Sequence, residues 1–244
     1  SCSSDGMQVI DVAEPSVPKL IGIWDTAGAV YGTAVSGSNA YVANTTMGLQ
    51  VIEIATPDEP VVVGACGTAD DALNVAVEGS YAYVAADAAG LLVIDTSDPL
   101  HPVTAGTCDT GARVMDVAIA GSHAYVAAFS DGLQVIDISA PTDPVVVGVC
   151  ATPDPARGIA VAGSHAYVAT GSAGLQVIDI SDSANPVTVG SCETSGGAVG
   201  VSVAGPYAFV AYGGSGLQVV DVSNPADPTF VAEYDEGGSA MDVK

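Results

Sequence analysis

Apolar residues come in short runs along this chain, and polar or turn-forming residues cut every run. The stretch from Arg157 to Thr194 shows the pattern best. Gly158-Ile-Ala-Val-Ala162 is apolar and stops at Gly163-Ser164. Ala166-Tyr-Val-Ala-Thr170 follows almost at once, and a break runs from Gly171 to Gly174. Leu175-Gln-Val-Ile-Asp-Ile180 is rich in β-branched residues, and a segment with Asp and Pro runs from Ser181 to Pro186. Val187-Thr-Val-Gly-Ser-Cys192 closes the unit. Runs of this length between turn signals predict strands. Parallel crossovers need about a dozen residues or more, and the links here are shorter, so the unit is predicted to be a four-stranded antiparallel meander.

The unit recurs. The hexapeptides GMQVID, GLQVIE, GLLVID, GLQVID, GLQVID and GLQVVD begin at Gly6, Gly48, Gly90, Gly132, Gly174 and Gly216, a constant step of 42 residues. A fixed period of this length means one supersecondary unit stacked repeatedly, and it predicts a single domain over residues 1–244. In Leu133–Ile138 one face carries Leu133, Val135 and Asp137, and the other carries Gln134, Ile136 and Ile138. Val145-Val-Val147 is apolar throughout. Both patterns predict sheets covered on both faces, as when blades pack around an axis. The predicted fold class is all-β, a β-propeller of four-stranded antiparallel blades. First strands are expected near Gly32, Asn74, Asp116, Gly158, Gly200 and Asp242. Second strands are expected at only five places, around Tyr41, Tyr83, Tyr125, Tyr167 and Phe209. Six blades are the expected number, the last incomplete or closed by the N-terminal strands.

The Leu-Gln-Val-Ile-Asp core with its trailing Pro-x-x-Pro resembles the LVIVD repeat family over nearly the whole chain. The resemblance implies a β-propeller in a bacterial or archaeal protein that is secreted or attached to the cell surface. It brings no catalytic residues, because the motif is structural.

Charge narrows the function classes. Four basic residues (Lys19, Arg113, Arg157 and Lys244) face 28 acidic ones, for a net charge of −24. Phosphate neutralisation needs a basic stripe, so no nucleic-acid partner is expected. No run approaches the ~18 apolar residues of a membrane helix, so no direct membrane insertion is expected. Cys66, Cys108, Cys150 and Cys192 share one slot of the repeat with Trp24 and Tyr234. A slot that accepts Cys, Trp and Tyr reads as apolar packing. Outer strands of neighbouring blades are expected well over ~15 Å apart, too far for these cysteines to pair. Cys2 falls in register with Ala128 and Thr170.

Comparing the copies separates scaffold from site. Gly37, Gly79, Gly121, Gly163 and Gly205 hold the first hairpin. Asp11, Asp95, Asp137, Asp179 and Asp221, with Glu53, precede the proline turn and are expected to accept its amides. These two connections lie at one end of each sheet and hardly vary. The second-to-third and fourth-to-first connections lie at the other end and do vary, so function is expected there. Trp24, Tyr31, Phe129, Arg157 and Tyr212 are the candidate binding residues, for a protein or glycan partner. Asn74, Asp116, Asp242 and the pair Asp70-Asp71 offer oxygen ligands for Ca²⁺ or Mg²⁺, although no cofactor is required by any motif. His123 and His165 occupy the hairpin and His101 the proline turn, and no nucleophile elbow, zinc pattern or phosphate loop is present. Three readings follow: a non-enzymatic extracellular or cell-surface binding scaffold, a divalent-metal-dependent hydrolase or lactonase, and a purely architectural module of a larger surface protein.

Overall fold

The computed structural model describes residues 6–26, 28–193, 196–214, 216–235 and 240–243; Cys2 lies outside them. The chain divides into two compact units, residues 1–109 and 110–244. In the first, β1 (Met7–Asp11) and β2 (Lys19–Trp24) make a two-stranded sheet. The strands β3 (Val30–Ser36), β4 (Asn39–Asn44), β5 (Gly48–Glu53) and β6 (Val61–Cys66) form a four-stranded meander. So do β7 (Asn74–Glu78), β8 (Tyr81–Ala85), β9 (Leu91–Asp95) and β10 (Val103–Cys108). The second unit holds three more meanders. They are β11 (Asp116–Ala120) with β12 (His123–Ala127), β13 (Leu133–Asp137) and β14 (Val145–Cys150); β15 (Gly158–Ala162) with β16 (His165–Ala169), β17 (Leu175–Asp179) and β18 (Val187–Cys192); and β19 (Ala198–Ala204) with β20 (Tyr207–Tyr212), β21 (Gly216–Asp221) and β22 (Thr229–Tyr234). All pairings are antiparallel, and no helix among the described residues is long and apolar enough to cross a membrane.

The second and third strands carry the core. Ala124 stands opposite Ile136 and Val126 opposite Gln134, and the next copy repeats this with Ala166 on Ile178 and Val168 on Gln176. Tyr125, Leu133, Val135, Ile159, Ala166, Val168 and Ile178 pack together between two sheets. Small alanines alternate with valines on the second strand, which lets neighbouring sheets approach closely.

The fourth strands depart from expectation. Val145, Val147 and Val149 are 50%, 37% and 51% exposed, so their apolar run is not covered on both faces. The neighbouring sheet reaches this strand at its glycine instead. A Cβ on Gly148 would fall on the carbonyl oxygen of Ser183, in the turn before β18. Gly190 meets the carbonyl of Pro225 in the same way, and in the first unit Gly64 meets that of Pro99 and Gly22 that of Pro57. The strands β6, β14 and β18 also shift register beside this glycine, as between Val135 and Ile136 opposite β14. A bulge of this kind interrupts an exposed edge and hinders pairing with another chain.

A second expectation is also overturned. Outer strands of neighbouring sheets do touch: Cys66 Sγ lies 3.6 Å from Thr104 Oγ1, and Cys150 Sγ lies 3.5 Å from Thr188 Oγ1. The cysteine reaches sideways across the gap between sheets. Cys66, Cys108, Cys150 and Cys192 are all unbridged, and burial pushes the Cys192 thiol up.

The first strands of neighbouring sheets adjoin: β3 with β7, β11 with β15, and β15 with β19. The sixth first strand expected at Asp242 does not form, since residues 240–243 are not strand.

Candidate functional site

The two ends of each sheet differ in chemistry. At the hairpin and proline-turn end, one contact repeats. The Oδ1 atoms of Asp95, Asp137, Asp179 and Asp221 accept the backbone N–H of Ser97, Ser139, Ser181 and Ser223 at 2.9, 2.8, 2.9 and 2.9 Å. Asp11 accepts from Ala13 N at 2.9 Å. The serine amide and then its hydroxyl hold the carboxyls of Asp95, Asp137 and Asp179 below the usual range, and at Asp221 the hydroxyl leads. At this same end His101 Nδ1 lies 2.9 Å from Asp98 Oδ2, and His123 and His165 lie against Ser122 and Ser164.

The opposite end keeps one backbone and changes the side chains. Asp87, Phe129 and Gly171 occupy the same slot in successive copies, with φ of 44°, 28° and 47°. This left-handed region costs an L-residue roughly 1–2 kcal/mol, and glycine is its ordinary occupant. At Gly171 a Cβ would lie 2.7 Å from Asp154 Oδ2, so that copy has little room for a side chain. In the copy before it Ala112 stands where Asp154 does, and Phe129 stands where Gly171 does.

The ring draws in two arginines. Phe129 O accepts Ala156 N at 2.9 Å, an isolated bridge to the segment entering β15. Arg157 follows, its own N–H donating to Ala169 O at 2.9 Å. Arg113 lies in the segment entering β11, two residues before Met115, whose N–H donates to Ala127 O at 2.9 Å. The guanidinium carbons of Arg113 and Arg157 sit 5.6 and 5.4 Å from the Phe129 ring centroid. Both contacts are within cation–π range. Both arginines are exposed, and Phe129 is half-buried. Beside them, Asp154 Oδ2 accepts the N–H and the hydroxyl of Ser172, both at 2.7 Å. These bonds, with a smaller contribution from the Arg157 charge, hold its carboxyl low.

The other candidates fall elsewhere. Tyr212, read as a surface anchor, is 0% exposed and packs with Tyr167, Leu175 and Val210, so it belongs to the core. Trp24 is partly buried against Val9 and Ile54, in the packing slot it shares with the cysteines. Tyr31 is 48% exposed at the entry to β3, in the first unit. Among the proposed metal ligands, Asp116 is buried and accepts Val117 N through Oδ1 and Ile159 N through Oδ2, each at 2.8 Å. Both its oxygens thus tie β11 to β15. Asn74 is buried and accepts Val75 N at 2.7 Å. Asp242 accepts Val243 N at 2.9 Å, and Asp70 accepts Asp71 N at 2.9 Å. Among the described residues no three His, Cys, Asp or Glu side chains converge as metal ligands. Asn74, Asp116, Asp242 and Asp70 thus spend side-chain oxygens on backbone amides, and this donor set does not fit a cation cage.

Three features take their meaning only from the fold. Arg113 was visible as one of four basic residues, two of which fall in the same kind of connection. The glycine of the fourth strand recurs at Gly22, Gly64, Gly106, Gly148 and Gly190, a periodicity that signals close approach. The glutamine of the hexapeptide is buried: Gln134 Nε2 donates to Thr110 O at 3.0 Å and Gln176 Nε2 to Ala173 O at 3.1 Å, pinning loops to the third strand.

Solved structures share this architecture. The computationally designed Ika8 protein aligns with TM-score 0.75 and 8% identity, over 99% of this chain and 72% of that one. A functionally unknown protein from Desulfotomaculum acetoxidans DSM 771 aligns with TM-score 0.78 and 14% identity, over 98% and 82%. A chain of the mitotic checkpoint complex aligns with TM-score 0.77 and 9% identity, over 94% and 72%. At these identities the likeness shows the fold alone, a β-propeller of four-stranded antiparallel blades. No curated protein matches the chain. The LVIVD repeat matches residues 3–26, 27–68, 69–110, 111–152, 155–194 and 195–236, and the chain belongs to the LVIVD repeat family.

Proposed function

We propose that this chain is a non-enzymatic binding module of an extracellular or cell-surface protein, and that it takes a protein or glycan partner at the loop end of the sheet β11–β14. One observation carries the reading. An aromatic ring stands in a left-handed slot that glycine fills in the next copy, and two of the four basic residues stack on it. Backbone strain of this kind persists where surrounding contacts hold it, and it concentrates at ligand clamps. A half-buried aromatic flanked by arginine is the composition of binding hot spots. The uniform Asp turns at the other end offer no such variation. Localisation rests on the family resemblance, and the acidic surface keeps the module soluble.

The test is a binding survey of the full chain against printed glycans and extracellular proteins, repeated with Phe129→Ala. A ligand whose retention falls at least tenfold in the variant supports the assignment. Ligands that bind both forms equally would move the site elsewhere.

A further inference from the structure

We infer that β1 is a docking edge for an extended segment of another polypeptide, a basic residue followed by Ala-Tyr-Val-Ala, laid antiparallel to it. The chain supplies its own comparison. The third strands β5, β9, β13, β17 and β21 each lie between a second and a fourth strand. Among the described residues β1, which carries the same hexapeptide, pairs with β2 alone. The side chains register the difference. Ile52, Ile94, Ile136 and Ile178 are fully buried, whereas Ile10 in the same slot is 50% exposed. Gln134 and Gln176 are buried, and their counterpart Gln8 is exposed. Nothing along β1 guards it against pairing. It has no proline or lysine, its one charge is Asp11 at the end, and the extra residue of its bulge lies on β2.

The five second strands state what such an edge accepts. They read NAYVA, YAYVA, HAYVA, HAYVA and YAFVA. In β12 and β16 the first alanine stands opposite the isoleucine, the tyrosine opposite the first valine of the hexapeptide, and the valine opposite the glutamine. Carried onto β1, this register sets Ala against Ile10, the aromatic against Val9 and Val against Gln8. Main-chain bonds supply affinity in strand addition, and the alternating side chains supply specificity. A slip of one residue would send every side chain to the wrong face, so the register selects the sequence.

Charge selects the source. Every described strand of this pattern already pairs on both edges, so a second copy has none to give, and it would bring its own net charge of −24. His123 stands opposite Asp137 and His165 opposite Asp179, and each histidine helps hold its partner carboxyl low. The residue before the first alanine therefore falls opposite Asp11, which is exposed, as is Glu14 in the turn after it. A cationic residue in that position gains from the cross-strand pair and from the acidic surface as a whole.

The experiment adds the peptide Gly-Ser-Lys-Ala-Tyr-Val-Ala-Ala to the full chain and follows fluorescence anisotropy and amide hydrogen exchange. The expected result is saturable binding that weakens with salt and slows exchange within residues 8–10. Glutamate in place of the peptide lysine should weaken binding at least tenfold, and so should Ile10→Asp in the chain, with circular dichroism confirming that the variant is folded. Neighbouring N–H groups of a strand point to opposite edges, so N-methylation at the peptide Tyr and at its Val should differ, one abolishing binding and the other sparing it. Phe129→Ala should bind the peptide as the parent does. Absence of binding, equal effects of the two N-methyl groups, or equal binding of the glutamate peptide would overturn the inference. So would slow exchange in β1 before peptide is added, which would mean that the edge is already covered. Loss of peptide binding in Phe129→Ala would move the peptide to the loop end of β11–β14, and a concentration-dependent dimer abolished by Ile10→Asp would make a second copy the occupant; either result overturns the assignment.

Discussion

The two ends of each sheet solve the same problem differently. At the proline-turn end, the backbone and its chemistry repeat together: an Asp accepts the amide two residues on, at 2.8–2.9 Å, in copy after copy. At the loop end the backbone repeats and the chemistry does not. One left-handed slot holds Asp87, Phe129 and Gly171 in turn. A repeat protein keeps its register by making one end uniform, and it can then vary the other end copy by copy. The contrast is open to test by substitution, because damage at the uniform end should appear in stability and damage at the variable end in binding.

The largest stability effect is expected where the uniform end meets its neighbour. Gly148→Ala puts a methyl group on the Ser183 carbonyl, a backbone atom that cannot swing aside. The two sheets must part, at a cost on the order of 3 kcal/mol. Gly163→Ala is the control. It sits at the hairpin with φ of 60° and no atom within 4 Å of the new Cβ. Only the backbone preference is lost there, about 1 kcal/mol. Urea midpoints compared at equal m-values read both. Equal costs at the two glycines would remove the sheet–sheet contact from the account.

Asp116→Ala comes next. It strips the acceptor from the amides of Val117 and Ile159 in a buried setting, an expected loss of about 2–3 kcal/mol. Asp116→Asn keeps one acceptor oxygen and should recover part of it. If adding Ca²⁺ stabilised the parent chain but not Asp116→Ala, the residue would be a cation ligand after all.

The fold was legible because its determinants repeat within one chain. Gly-Ser hairpins, Asp turns and β-branched runs each mark a local event, and the step of 42 fixed their order. Features that depend on two sheets at once were not legible. The glycine at 148 reads as an ordinary strand residue until Ser183 is placed beside it. Tyr212 looked like a loop aromatic because it stands one residue before the slot of Asp87 and Phe129; its own copies are Ala86, Ala128 and Thr170, all buried, and its ring enters the core in the same way. Asp116 reads as a ligand because its carboxylate is acidic, and only the neighbouring strand shows what it accepts. Phe129 and Arg157 stand out in the sequence as variable-loop residues, whereas their contact with each other and with Arg113 needed the fold.

Phe129→Gly separates the two ends most cleanly. Glycine relieves the left-handed backbone, and the ring it removes is half-buried, so stability should change by no more than about 1 kcal/mol. A core Phe lost in this way would cost about 3–5 kcal/mol. Binding of a retained ligand should nevertheless fall at least tenfold, because Arg113 and Arg157 lose the surface that orients them. A loss of stability near the core value would make Phe129 scaffold and remove the contrast.

The smallest effect concerns acid. The native carboxyls of Asp95, Asp137, Asp179 and Asp221 lie below their ordinary range, held there by the serine two residues on. A carboxyl depressed in the native state contributes stability that is complete above its unfolded pKa of about 4 and is lost as pH falls through the native value. Replacing all four by Asn keeps an acceptor oxygen and removes the titration. The variant should therefore melt slightly below the parent at pH 7, with the gap closing as pH drops below about 4. Each site is half-exposed, so solvent screening keeps each step small. Binding at Phe129 should be unchanged, because these turns lie at the far end of every strand. Parallel melting curves for parent and variant down to pH 2 would show that the repeated Asp contact shapes the turn without stabilising it, and the uniform end would then owe its uniformity to its glycines alone.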